Sequence, residues 1–371
     1  MRNLYFAIRV VPALVAVLVL WNGEQARAEL QEVAAFGDMQ ATGVAVSQHG
    51  RMFVNFPYWS DNHTISVAEV VNGKPVLFPD EEWNKAGAPL RHFICVQSVY
   101  VDAEDYLWVL DPAAPKSGEV VAGGPKLVRI NLKTNQVEQI IPFDETVAPK
   151  KSYLNDVCVA TGEQVAYITD SGLGAIIVVD LKAGKARRAL DGCVFTKGEE
   201  GFKLQVDGRD LIEAKTGLPP TIHADGIALD TAQGYLYFHA LTAHMLYRVK
   251  TEDLKNYTLS ETDLEKRVEK VVETPACDGM LMGPDGGVYL TDLEHGAVVR
   301  VEPFLKTLTT MVADKRLQWP DSMSWGPDGA LYISASQIEN SPRFNDGKNA
   351  RTEPYRVFKW VVPPVVKSEG N

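Results

Sequence analysis

Six positions in this 371-residue chain carry a side chain able to bind through oxygen and stand at the same place in a repeated pattern: Thr42, Gln97, Asn155, Asp225, Asp278 and Asp321. Each leads into a short apolar run, as in Asn155-Asp-Val-Cys-Val, Asp225-Gly-Ile-Ala-Leu and Asp278-Gly-Met-Leu-Met. A ring of oxygens with several carboxylates suits a hard cation such as Ca²⁺, which takes about six to eight oxygen ligands in flexible geometry. Asn155, Asp225, Asp278 and Asp321 are therefore the candidate metal ligands. Without a cation, carboxylates this close repel and at least one pKa rises. A raised pKa is also a route to a general base, for which Asp225 and Asp278 are the candidate catalytic residues. A purely structural alternative stands beside both, because Asp and Asn at strand starts cap turns and tie neighbouring segments together.

Residues so far apart in sequence meet only if a repeated element delivers them. Each of the six leads a strand, a turn and a second strand with an aromatic residue near its middle: Phe53, Trp108, Tyr167, Tyr237, Tyr289 and Tyr332. From leading residue to aromatic the distances are 11, 11, 12, 12, 11 and 11. The turns Gly283-Pro-Asp-Gly-Gly and Gly326-Pro-Asp-Gly are hairpin chemistry, with Pro presetting φ and Gly accepting positive φ. Leu127-Val-Arg-Ile, Ile176-Ile-Val-Val-Asp, Met245-Leu-Tyr-Arg-Val, Ala297-Val-Val-Arg-Val and Tyr355-Arg-Val-Phe supply third strands. The pattern predicts an all-β, six-bladed β-propeller, an architecture whose radial repetition hides most strand edges. Glu29–Phe36 is expected to close the ring on the last blade.

In that fold the first strand of each blade lines the central channel, and its start lies beside the end of the second strand. The second-strand ends Asn55, Asp111, Asp170, His239 and Asp292 are thus expected at the same mouth. Gln97, Asp111, Asp170, His239 and Asp292 are the candidate ligand-binding groups. Tyr58, Trp59, Phe344 and Tyr355 are aromatic candidates for its walls. Residues 191–222 and 341–352 break the rhythm and read as long loops, and Ser260–Val272 reads as a short helix. Long loops on a rigid scaffold often carry function.

The N-terminus reads as an export signal: Arg2 and Arg9, an apolar run from Val10 to Trp21, and the small-x-small site Ala26-Arg27-Ala28. The run is shorter than the roughly 20 residues that span a bilayer. Residues 1–28 are expected to be removed, leaving 29–371 as one monomeric propeller domain, secreted or periplasmic, with no membrane span. Removal takes away three Arg and one Glu and shifts the formal charge from −11 to −13. An acidic body without a basic stripe argues against nucleic acid as a partner. Cys95, Cys158, Cys193 and Cys277 have no zinc spacing, and either one disulfide or buried thiols fit them. His223, His239 and His244 share no metal-binding helix spacing, and no nucleophile elbow, phosphate loop or dinucleotide fingerprint is present.

Leu107-Trp-Val-Leu-Asp, Ala166-Tyr-Ile-Thr-Asp-Ser, Gly234-Tyr-Leu-Tyr-Phe-His-Ala-Leu-Thr and Gln337-Ile-Glu-Asn-Ser-Pro-Arg-Phe-Asn resemble the yellow/major royal jelly protein family over nearly the whole mature chain. The last of these, followed by Pro354-Tyr-Arg-Val-Phe, looks like its bacterial branch. The resemblance implies a secreted six-bladed propeller, but its members serve several functions, so the fold does not settle the activity. A more distant similarity is to the gluconolactonase/regucalcin propellers, which hold a divalent metal. Asn155 and Asp278-Gly-Met look similar to their ligand positions, while Thr42 replaces their first-blade Glu. Two functions follow as expectations. One is the binding of a small aromatic or amphipathic molecule at the channel mouth. The other is a divalent-metal-dependent lactonase or dopachrome-type isomerase using the Asn/Asp ring.

Overall fold

The computed structural model describes residues 30–352 and 354–361, so the expected export signal lies outside the described residues. Six antiparallel four-stranded sheets form a ring; in five of them the strands follow chain order from the centre outwards, and in the sixth the outermost strand comes from the start of the chain. The first blade is Val44–Val46, Met52–Asn55, Val67–Val71 and Lys74–Leu77. The second is Ser98–Val101, Tyr106–Asp111, Lys126–Asn131 and Gln136–Pro142, and the third is Leu154–Ala160, Val165–Asp170, Ala175–Asp180 and Lys185–Ala189. The fourth is Ala224–Asp230, Tyr235–Ala240, Met245–Lys250 and Glu269–Glu273. The fifth is Met280–Met282, Val288–Asp292, Ala297–Glu302 and Thr307–Ala313. The sixth takes Pro320–Trp325, Ala330–Ala335 and Arg356–Val361 from the end of the chain and Leu30–Ala35 from its start. The innermost strands touch all the way round, sixth to first included.

Burial decides this arrangement. Six buried apolar clusters lie between neighbouring blades, each built from residues of both. A lone four-stranded blade has two apolar faces and would leave both wet, whereas stacking in a ring covers them. Burying one Val, Leu or Phe in this way contributes roughly 1.5–3 kcal/mol over leaving it exposed. Within blades the repeated aromatic faces a repeated cation: Trp108 lies opposite Arg129, Tyr237 opposite Arg248, Tyr289 opposite Arg300 and Tyr332 opposite Lys359. Cross-strand pairs of this kind each add a few tenths of a kcal/mol to about 1 kcal/mol. They explain why the third-strand segments look alike in sequence.

One detail differs from the sequence reading, and one alternative it left open is decided. Only Glu261–Glu265 of the stretch 260–272 is helical; Glu269–Glu273 is the outer strand of the fourth blade. Charge on an edge strand, one face wet, had the look of a helix. The four cysteines are separate buried thiols.

Candidate functional site

The first-strand starts are held by a local device repeated round the ring. In the third, fourth and sixth blades the strand register slips between Leu154 and Val157, Ala224 and Ile227, and Pro320 and Met323. Such bulges re-aim side chains. Asn155, Asp225 and Asp321 sit in them. The glycine after Asp allows adjacent blades to touch by backbone: a Cβ at Gly226 would stand 2.4 Å from the Asp278 carbonyl oxygen, and one at Gly279 2.1 Å from that of Asp321. A hydroxyl near the end of the second strand laces the ring. Thr169 Oγ1 accepts from the Asp156 N–H and donates to the Asp225 carbonyl of the next blade at 2.6 Å. Thr291 accepts from the N–H groups of Asp278 and Gly279, and Ser334 donates to the Thr42 carbonyl, closing the circle.

Gln97, Asn155, Asp225, Asp278 and Asp321 line one cavity of about 420 Å³ at this mouth. That is the size of a small-molecule site. Its walls are Trp59, Tyr153 and Trp319 with Ile222, Leu241 and Ile338. Trp59 Nε1 donates to Tyr153 Oη at 2.7 Å, and Tyr153 Oη donates to Gln97 Oε1 at 2.8 Å, so the aromatic wall is fixed to the polar floor. The two rhythm-breaking loops form a cap over one side. Thr221 and Ile222 reach the cavity from the first loop, and Ser341, Pro342, Arg343 and Arg351 from the second. Ala214 N–H donates to the Arg343 carbonyl at 2.7 Å, Arg343 pairs with Glu213, and Arg209 donates to the Glu339 carbonyl at 3.0 Å. Leu204, Val206, Leu211 and Phe344 give the cap an apolar core against Leu241, Leu293 and Trp319.

The floor is electrostatically frustrated. Asp225 is 2% exposed and Asp321 6%, and neither Asp225 Oδ1 nor Asp321 Oδ2 has a hydrogen-bond partner. Burial pushes both carboxyls well above the usual range, and neighbouring Asp278 and Asp156 push them further. Asp278 is also raised by burial, though Trp319 Nε1 donates to its Oδ2 at 2.6 Å. The Asp225 and Asp278 carboxyls influence each other directly, and repulsion between them favours a proton held on the pair. Asp156, next to Asn155 in the chain, is pushed up to about 7 by desolvation and by Asp278. Among the described residues no group of three His, Cys, Asp or Glu side chains is placed to hold a metal ion.

The second-strand ends are placed differently, and none of them lines the cavity. Asp111 accepts from the N–H groups of Ile94, Cys95 and Ala113 and pairs with buried Lys126 at 2.6 Å. Asp170 accepts from Tyr153 and Gly172 N–H and from Arg188 at 2.8 Å. His239 is buried between the Ala240 carbonyl and Thr274, and burial lowers its pKa to about 4, which leaves it neutral. Asp292 accepts from Glu294 and His295 N–H and from the His295 ring. Asn55 donates to Thr42 and to the Gln97 carbonyl, which keeps Thr42 in the wall of the first blade. All five hold loops to strands. Of the aromatic candidates only Trp59 reaches the cavity, and Phe344 is spent in the cap core. Tyr153, Trp319, Arg343 and Arg351 were not singled out from the sequence. Tyr153 and Trp319 each stand two residues before a leading residue, and that shared offset is the signal that points to them.

A profile of the major royal jelly protein family matches residues 94–344. Major royal jelly protein 3 of Apis mellifera is 24% identical over 226 residues, 59% of this chain and 40% of the relative. Major royal jelly protein 1 of the same organism is 24% identical over 218 residues, 56% of this chain and 48% of the relative. The chain thus spans less than half the length of either. Among solved structures, a Xanthomonas campestris gluconolactonase superposes with TM-score 0.53 at 11% identity, covering 91% of this chain and 90% of its own. A regucalcin described as a calcium-binding protein, from Agrobacterium tumefaciens, gives 0.53 at 11% identity over 90% and 94%. Both share the fold.

Proposed function

The chain belongs to the major royal jelly protein family, and we propose that it is an exported propeller that binds a small aromatic or amphipathic molecule in the capped cavity at the mouth of its central channel. The observation that carries this reading is the cavity's division of labour: aromatic and aliphatic walls above a floor of buried polar groups, two of whose oxygens are unpaired. An unpaired buried oxygen costs about 1–3 kcal/mol. A ligand that donates to the parts of these carboxyl groups that line the cavity offsets part of that cost. The test is a panel of indoles, catechols and sterols, read by thermal shift and by quenching of Trp59 and Trp319. A saturable response that disappears in Ile222→Arg, which fills the cavity from the cap, is expected. A panel without any response sinks the proposal.

A second reading rests on the closeness of the Asp225 and Asp278 carboxyls. Such a pair can take up and return a proton during isomerisation of a quinone or opening of a lactone. If a divalent cation such as Ca²⁺ takes part, Asn155, Asp225, Asp278 and Asp321, which all line the cavity, are the groups to hold it. A bound cation would polarise the substrate carbonyl. Elemental analysis of the purified protein and turnover in the presence of chelator decide whether the metal belongs in this reading.

A further inference from the structure

The cavity has carboxyl groups at its floor and the Arg351 guanidinium in its lining, and we infer that its ligand is a small aromatic acid bearing a hydroxyl, with Arg351 as the residue that recognises the carboxylate. The inference rests on the binding role proposed above and adds the ligand's polarity and orientation.

At the floor, Asp225 Oδ1 and Asp321 Oδ2 have no partner, and both residues are more than nine-tenths buried. Both residues line the cavity, so their carboxyl groups are what a ligand's hydrogen-bond donor meets there. At the rim two guanidinium groups line the same cavity. They are not equivalent. Arg343 is neutralised by Glu213, to which both its Nε and its Nη2 donate. Among the described residues Arg351 has neutral partners only: it donates to Gln40 Oε1 at 2.8 Å and to Asn349 Oδ1 at 2.9 Å, and it lies over the Tyr355 ring. A guanidinium in a partly buried cavity beside neutral acceptors is a ready site for a carboxylate, which it binds more strongly than a neutral group. Trp59, Tyr153 and Trp319 line the same cavity and give an aromatic ring apolar surface to pack on.

The arrangement also selects against other ligands. A plain apolar molecule leaves the floor oxygens bare. A dianion meets the acidic floor with its second charge. A monocarboxylate with a hydroxyl at its far end satisfies both the floor and Arg351 and adds no buried like-charge contact.

The experiment is a calorimetric titration of the full mature chain with para-hydroxyphenylacetate, its methyl ester, its para-methoxy analogue and para-cresol. The acid is expected to bind about tenfold or more tightly than the ester or cresol, and the methoxy compound, which cannot donate, to lose a similar factor. Arg351→Gln should bring the acid down to the ester's level, and Arg351→Lys should restore part of the difference, which a merely structural arginine would not do. Equal affinity for acid, ester and cresol overturns the inference while leaving the binding role intact. No binding by any of the four, in a protein that answers the indole or sterol panel, overturns it as well. Silence in both series removes the binding role itself.

Discussion

At the scale of single residues, equal side chains meet unequal fates according to whether their hydrogen bonds are satisfied. Asp111 is fully buried yet settled by three backbone N–H groups and Lys126, while Asp225, no more exposed in kind, has an oxygen left over. Glu339 is a second case of the unsettled type. It is 2% exposed beneath the cap, its Oε2 has no partner, and burial, with Asp207 adding to it, pushes its pKa up to about 7. In the unfolded chain it titrates near 4.5. Between those two pH values the folded protein keeps a proton that the unfolded chain has lost. The stability linked to this group is therefore complete below about pH 4.5 and is lost as pH rises to about 7, by up to about 3 kcal/mol. Glu339→Gln, neutral throughout, should flatten the dependence of Tm on pH across that window and raise Tm above it. An unchanged profile would mean that the carboxyl is already solvated.

At the scale of elements, two irregular loops became one structural unit. Residues 191–222 and 341–352 have no shared periodicity. They join because Phe344 enters an apolar cluster with Leu204, Val206 and Leu211, and because Arg209 and Arg343 close hydrogen bonds across the gap. Phe344→Ala is expected to weaken this cluster by about 3 kcal/mol or more. The cluster shares no residue with the third blade, so the loss should be local: amides in the two loops exchange faster while the third-blade strand Val165–Asp170 stays protected. Slower binding without faster loop exchange would contradict the assignment of these loops as a cap. The bulges at Asn155, Asp225 and Asp321 are the other element-scale decision, since they turn side chains toward the channel that a regular strand would pass along the sheet.

At the scale of the molecule, the ring is only as closed as its last blade. Leu30–Ala35 pairs with Arg356–Val361 and adds Leu30 and Ala34 to the clusters on the two sides of the sixth blade, with Arg356 donating to Glu32. Deleting residues 29–36 should lower Tm sharply and broaden the unfolding transition, because the sixth blade loses its outer strand and one apolar edge becomes wet. Deleting instead a stretch of equal length from the solvent side of the loop 341–352 should change Tm far less. Equal effects would show that the closure by the first strand contributes little. Family membership and the shared propeller fold leave the reaction open, so the cavity must speak for itself through its ligands.

Much of this was legible in the chain before any tertiary contact was known. Spacings of 11 and 12 residues from Thr42 to Phe53 and onward to Tyr332, and the Asp-Gly turns, specify hairpins by local geometry alone, and six hairpins with apolar faces can hide them by forming a ring. The positions Gln97, Asn155, Asp225, Asp278 and Asp321 followed from that periodicity, because a repeat places equivalent residues at equivalent points. The tertiary structure decided what periodicity does not carry. Whether an aspartate is satisfied depends on N–H groups and cations supplied by loops elsewhere in the fold, as Lys126 is for Asp111. Whether an arginine is free depends on a carboxylate contributed by another loop, as Glu213 is for Arg343 and none among the described residues is for Arg351. Local sequence sets where a side chain stands along its strand. Only the packed molecule sets what stands opposite it, and the chemistry of the cavity follows from that.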